Sequence, residues 1–119
     1  MQQIQIPPLA EGEIYLGGRI TKTGDIEHTV IVAINDDELP LAEQREWAKS
    51  QGGVLMNRYE ALIIYNEHRD LVKKDWYWTD EEVECDTAYA WCQYFLSGLQ
   101  IIIHKSAALR AVAVRRFKN

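Results

Sequence analysis

Cysteine is scarce in this sequence of 119 residues, which contains only Cys85 and Cys92. Six residues separate the two and no His lies near them in sequence, a spacing that fits neither a disulfide framework nor a zinc site. We therefore interpret both as reduced thiols in or near the core. The sequence predicts no cofactor and no metal site.

Residues suited to catalysis are equally few. Apart from the two cysteines, the candidate bases are His28, His68 and His104, and no two of these groups show the spacing of a catalytic pair. His28 alternates with apolar residues, which favours a partly buried strand position. His104 ends a predicted strand and is expected to be exposed. We expect no catalytic residues and no enzymatic activity.

Positive charge is in deficit, since 13 Lys and Arg face 18 Asp and Glu, for a net charge of -5. Phosphate backbones require a surplus of basic residues, so we expect no direct nucleic-acid binding. Long apolar runs are also lacking, and no stretch approaches the roughly 18 residues of a membrane span. The N-terminus lacks the basic and apolar regions of a signal peptide. We expect no membrane association and a protein that stays where it is made.

What is present is a pattern of strands on both sides of a helical block, which is typical of the α+β class. Residues 1–10 are expected to form an extended lead, and residues 11–119 a single domain. Asn57 is placed to cap the second helix, with Glu60 as its capping-box partner. A polar turn is expected at residues 35–38. The predicted strands span residues 13–20, 26–34, 76–79, 88–95, 99–104 and 111–117, and the predicted helices 40–51 and 57–71.

Five carboxylates occur within seven residues directly after the aromatic run that contains Tyr77. They are Asp80, Glu81, Glu82, Glu84 and Asp86. The simplest interpretation is a solvated loop, because charge runs usually lie at the surface. A second is a recognition patch in which the carboxylates steer a basic partner and aromatic side chains such as Tyr77 anchor it. A third is calcium binding through hard oxygen ligands, although the calcium motifs of C-type lectins are absent.

Four tryptophans could form a platform on which a sugar stacks. They are Trp47, Trp76, Trp78 and Trp91. Large aromatic side chains dominate the cores of small domains, so we interpret the last three as core residues. Arg110, Arg115 and Arg116 could form a small basic patch, but pairing with the abundant acids is the ordinary explanation.

Five separated motifs occur in the order that is found in a phage and bacterial domain of unknown function. They are Gly52-Gly53-Val54-Leu55, Asn57-Arg58-Tyr59-Glu60, Asp75-Trp76-Tyr77-Trp78-Thr79, Tyr89-Ala90-Trp91 with Phe95 and Ser97-Gly98, and Ala111-Val112-Ala113-Val114-Arg115-Arg116. Over residues 11–117 the chain resembles this family, whose domain also ends a collagen-like bacterial adhesin. It departs from the family at Met56-Asn57, where Pro-Thr is usual, and at Asp80, which makes the following loop more acidic.

This resemblance implies a compact C-type-lectin-like α+β domain, with two helices packed on short antiparallel strands, and it transfers no active site. It also implies a phage or prophage protein. Our main hypothesis is a non-enzymatic accessory protein that binds a host protein or protein complex in the host cytoplasm through Asp80–Asp86 and Tyr77. One form of it is an inhibitor of a nucleic-acid-handling defence complex, whose basic groove an acidic protein could occupy. The alternative is a virion structural or receptor-binding module that recognises a surface glycan or protein. The sequence leaves the oligomeric state open.

Overall fold

The computed structural model describes residues 8–118, which form seven strands, two α-helices and one turn of 3-10 helix. Most of the predicted N-terminal lead therefore lies outside the described residues. In chain order the elements are β1 (Ile14–Ile20), β2 (Ile26–Leu39), α1 (Leu41–Ser50), β3 (Val54–Leu55), α2 (Arg58–Glu67), the 3-10 turn (Arg69–Leu71), β4 (Trp76–Val83), β5 (Asp86–Tyr94), β6 (Leu99–His104) and β7 (Leu109–Lys118). The predicted α+β class is confirmed.

The strands form one mixed sheet in the order β1-β2-β7-β4-β5-β6, and β3 also pairs with β7. All neighbours are antiparallel except β4 and β7, which run parallel. The strands are therefore neither all antiparallel nor all short, since β2 spans 14 residues. The last strand of the chain lies inside the sheet and links its N-terminal and C-terminal halves.

The two helices lie on opposite faces of this sheet, as the alternation of β7 shows. Val112 and Val114 belong to the core that contains Ala61 and Ile64 of α2. The small residues Ala111 and Ala113 belong to the other core, which contains Leu41 and Ala48 of α1. Because successive side chains of a strand point to opposite faces, one strand contributes to both cores. We refer to the two faces as the α2 side and the α1 side.

The helix boundaries agree with the capping pattern, with one correction. The Asn57 side chain accepts a hydrogen bond from the Glu60 N–H, and the Glu60 side chain accepts one from the Asn57 N–H, both at 2.8 Å. The predicted capping box is confirmed. However, α2 ends at Glu67, and the next residues form a separate 3-10 turn rather than continuing to Leu71. None of the helices between residues 8 and 118 is long and apolar enough to cross a membrane.

The first hairpin turns where the sequence predicts, but its second strand differs from expectation. β2 continues to Leu39, so the residues expected to form a polar turn at 35–38 are part of a strand. A bulge between Ile31 and Ala33 gives β2 one extra residue opposite β7. As a result Ile34 packs in the α2-side core, whereas Val32 packs on the α1 side. Unbroken alternation along the strand would place both on one face.

Candidate functional site: the acidic hairpin and the adjoining sheet face

The acidic run forms a β-hairpin and not the loop that the sequence predicted. β4 continues through Val83, the turn consists of Glu84 and Cys85, and β5 begins at Asp86. Pairing with β5 holds this part of β4 in an extended conformation, with irregular register between Trp78 and Val83. The carboxylates are therefore distributed between two sheet faces and a tip, and they have different surroundings.

On the α1 side, two of the carboxylates are neutralised by basic residues. Arg45 of α1 donates to Asp80 at 2.7 Å and to Glu82 at 2.9 Å. The Nζ atom of Lys105 lies 2.8 Å from Glu82. The hydrogen bonds from Lys105 and Arg45 hold the pKa of Glu82 below its usual value. Asp80 and Glu82 thus connect β4 to α1 and to the end of β6, which argues against a direct role in binding a partner.

Glu81 lies on the other side of the hairpin, at the start of α2. Its carboxylate accepts a hydrogen bond of 2.7 Å from the N–H of Arg58, the first residue of that helix. Negative charge is favourable there because the first N–H groups of a helix have no partner within the helix. Glu81 therefore has a structural role, although its side chain remains exposed.

The tip of the hairpin is formed by Glu84, Cys85 and Asp86, which are all exposed. Asp86 accepts a hydrogen bond from the Ala88 N–H at 3.2 Å. Among residues 8–118, Glu84 has neither an ion pair nor a side-chain hydrogen bond. No group of three or more potential metal ligands occurs in the described part of the chain. The exposed position of Cys85 corrects our expectation that both cysteines lie in or near the core, since only Cys92 is buried.

Tyr77 was expected to be a contact residue, and the structure contradicts this. Its side chain is fully buried in the α2-side core and packs edge to face on Phe95, with ring centroids 5.1 Å apart. The hydroxyl accepts a hydrogen bond from the Lys73 N–H, and burial raises the pKa of the phenol. Adjacency in sequence to the acids does not bring Tyr77 to the surface, because its strand position points into the core.

The tryptophans do not form a common platform. Trp78 is fully buried on the α1 side, where its indole N–H donates to the Leu39 carbonyl at 3.1 Å. Trp76 stacks on Tyr94, with ring centroids 4.4 Å apart. Trp91 lies on the opposite face from Trp78 and is covered by the guanidinium of Arg58, 3.6 Å from the ring centroid. Core packing and cation-π contact account for these rings.

Beyond the first turn of α2, the α2 side of β5 and β6 is only partly covered. The surface there consists of Tyr89, Trp91, Ile102 and His104, which we call the aromatic face. Trp91 pairs with Ile102 across the two strands, and Tyr89 pairs with His104, its ring edge to face at 5.5 Å. The exposed fraction is 36% for Tyr89 and 45% for Ile102. The aromatic face lies next to the acidic tip, because β5 begins at Asp86 and reaches Tyr89 three residues later.

The residues considered for catalysis are dispersed. His28 is buried and its Nδ1 lies 2.8 Å from the Tyr15 hydroxyl, a full burial that the sequence had predicted only in part. His104 is exposed, as expected, and its Nδ1 lies 2.7 Å from the Ser106 hydroxyl. Cys92 is buried in the α1-side core. These groups occupy separate parts of the fold and do not converge on one cavity.

Sequence reasoning missed the basic residues that organise this site. Arg45 lies on α1 and Lys105 just after β6, 35 and 23 residues from the acids they contact, so no local pattern connects them. The alternation of β6 did carry a signal, because Ile101 and Ile103 share one face while Ile102 lies on the other. The arginines of β7 pair with acidic residues, as expected: Arg110 contacts Asp75 and Glu38, and Arg116 contacts Glu60.

No protein-family model matches the chain, and no curated protein matches it.

Proposed function

We propose that this chain is a non-enzymatic binding module that recognises another protein through the aromatic face and the acidic tip beside it. The observation that carries the proposal is the exposure of Tyr89 and Ile102 on a sheet face that α2 leaves partly open. Isolated exposed apolar side chains are common on protein surfaces. Here, however, two of them adjoin a tryptophan and an arginine, residue types that are enriched at interaction hot spots.

Electrostatics indicate the character of the partner. Asp80 and Glu82 are paired with bases, and Glu81 is bonded to the start of α2, so Glu84 and Asp86 contribute the available negative charge beside the aromatic face. The chain as a whole carries a net charge of -5. Both features favour a partner with a basic surface, which opposite charge would steer to the tip.

The sequence resemblance over residues 11–117 suggests the biological setting of this binding module. By that resemblance, the chain is a phage or prophage accessory protein of C-type-lectin-like fold whose partner is a host protein or protein complex. A partner that normally binds nucleic acid would offer the basic surface that the tip requires. The α+β architecture and the exposed aromatic face are compatible with this setting.

The proposal is tested by capture of host proteins on the purified chain at low and at moderate salt. The tip variant carries Glu84→Lys and Asp86→Lys, and its control carries Glu43→Lys and Glu46→Lys, two exposed acids of α1. Both variants change the net charge equally. We expect the tip variant and Tyr89→Ala to lose a partner that the wild type and the α1 control retain, and we expect salt to weaken the captured complex.

Two results would contradict the proposal. Equal loss of capture in both charge variants would show that net charge alone matters. Undiminished capture by the tip variant and by Tyr89→Ala would exclude this surface.

A further inference from the structure

The two edges of the sheet differ in how they are protected against pairing with another strand. β1 forms one edge, and it contains a bulge between Tyr15 and Gly17, the pair Gly17-Gly18 and the charged residue Arg19. Bulges and charged side chains are common devices that prevent an edge strand from pairing with another chain. These features disfavour the pairing of another strand with β1.

β6 forms the other edge and has none of these devices. Its sequence from Leu99 to His104 contains no Lys, Arg, Asp, Glu, Pro or Gly. It pairs with β5 in regular register over all six residues, and among the described residues no other element packs extensively beside it. An edge strand with no bulge, no Lys, Arg, Asp or Glu and four apolar residues of six is a template for a further strand.

The pairing of β5 with β6 determines which backbone N–H and C=O groups of β6 point to the open edge. The Lys105 N–H donates to the Ala88 carbonyl at 3.0 Å, which continues the β5–β6 register. Antiparallel neighbours exchange hydrogen bonds at every second residue pair. The N–H and C=O groups of Gln100, Ile102 and His104 consequently point away from β5, towards the open edge. They offer a further strand three residues at which to bond.

We propose that this edge pairs with β6 of a second copy of the chain, antiparallel and with Ile102 on the two-fold axis. In that register Ile102 lies opposite Ile102 of the second copy. Gln100 then lies opposite His104, and Ile101 opposite Ile103. Every cross-strand pair is either apolar or made of the Gln100 amide and the His104 imidazole. The strand is thus complementary to itself.

The distribution of charge is also compatible with a second copy of the chain at this edge. The chain is acidic overall, but the nearest free acids, Glu84 and Asp86, lie at the hairpin tip next to one end of β6. Antiparallel pairing places the two tips at opposite ends of the joined strands, so like charges stay apart. The two aromatic faces become continuous across the axis, because Ile102 belongs to both the edge and that face. The inference does not depend on the proposed function.

Sedimentation equilibrium over a range from low micromolar to millimolar protein tests this inference. We expect the average mass to rise from one chain towards two. Ile102→Lys places two like charges on the axis and should raise the dissociation constant by at least about tenfold. Ile20→Lys changes an isoleucine that is 73% exposed at the opposite edge, and it should leave the dissociation constant unchanged.

Hydrogen exchange on the wild-type chain provides a measurement that needs no variant. The Ile102 N–H should become more protected as the concentration rises, whereas the amides of β1 should not change. A mass of one chain at every concentration would overturn the inference. So would a dimer that Ile102→Lys leaves intact, or one that Ile20→Lys weakens equally.

Discussion

Cys92 lies in the α1-side core beside Trp78 and Ala90, and burial raises the pKa of its thiol to about 11. Cys85 lies exposed in the turn between β4 and β5. Since the thiolate is the reactive species, and a thiol must also be accessible, the two cysteines should differ in reactivity. Their surroundings, and not their residue type, set this difference.

We expect one thiol per native chain to react with a colourless disulfide reagent at pH 8, and two after denaturation in urea. Cys85→Ser should abolish the rapid reaction of the native chain, whereas Cys92→Ala should leave it unchanged. The release of the coloured thiol, followed by absorbance, measures both rates. Rapid modification of two thiols in the native wild type would contradict the burial of Cys92.

Two tyrosines also differ in burial, and the sequence alone did not predict which of them is exposed. Tyr77, in the aromatic run just before the acidic residues, was expected to be a contact residue, but it lies in the core. Tyr89, which is exposed, carried no comparable signal. Alternation along a strand predicts which residues share a face. It does not predict which face a helix covers, because that depends on segments distant in sequence.

Among the contacts between secondary-structure elements, those of Glu60 connect α2 to the sheet. Its side chain is 5% exposed and accepts two hydrogen bonds of 2.7 Å from Arg116 of β7. It also accepts from the Thr29 hydroxyl of β2 and closes the capping box with Asn57. The capping box was visible in the sequence, whereas the ion pair was not, since 56 residues separate its members.

Glu60→Ala should therefore destabilise the protein by more than the loss of the cap alone. Glu60 is buried but the Arg116 side chain is 27% exposed, so losing these charged hydrogen bonds together with the cap should cost about 2–3 kcal/mol, whereas Asn57→Ala should cost about 1 kcal/mol. Glu67→Ala, an exposed change in the last turn of α2, serves as the control and should have little effect. Urea denaturation followed by tryptophan fluorescence gives the three values. Equal losses in Glu60→Ala and Asn57→Ala would show that Arg116 adds nothing.

In the molecule as a whole, the order of the strands in the sheet could not be predicted from the sequence. Most elements were predicted, including the strands on either side of Gly24, those on either side of Ser97-Gly98, and the closing strand. β7 lies between β2, with which it pairs at separations of 70 to 91 residues, and β4, where Tyr77 pairs with Arg110, 33 residues later. Local propensity carries no information on such pairings, and the bulges in β2 and β4 further displace the register. These pairings also bring the acids to their basic partners.

Two carboxylates with lowered pKa values make the stability of the whole molecule depend on pH. Hydrogen bonds from Lys105 and Arg45 lower the pKa of Glu82, and a hydrogen bond from Arg115 lowers that of Glu13, both from an ordinary value of 4.5. A lowered pKa in the folded state means that the unfolded chain binds the proton first as the pH falls. The stabilisation is therefore complete above about pH 4.5 and is lost as the pH falls through the lower, folded values.

We expect the free energy of unfolding to decrease when the pH is lowered from 5 towards 3. Glu82→Gln should make this decrease shallower, because the variant has no proton to take up at that position. Glu43→Gln removes an exposed acid that has no ion pair among residues 8–118, and it should leave the slope as in the wild type. Urea titrations at a series of pH values provide the comparison. A slope in Glu82→Gln as steep as that of the wild type would mean that the pairs with Arg45 and Lys105 do not stabilise the fold.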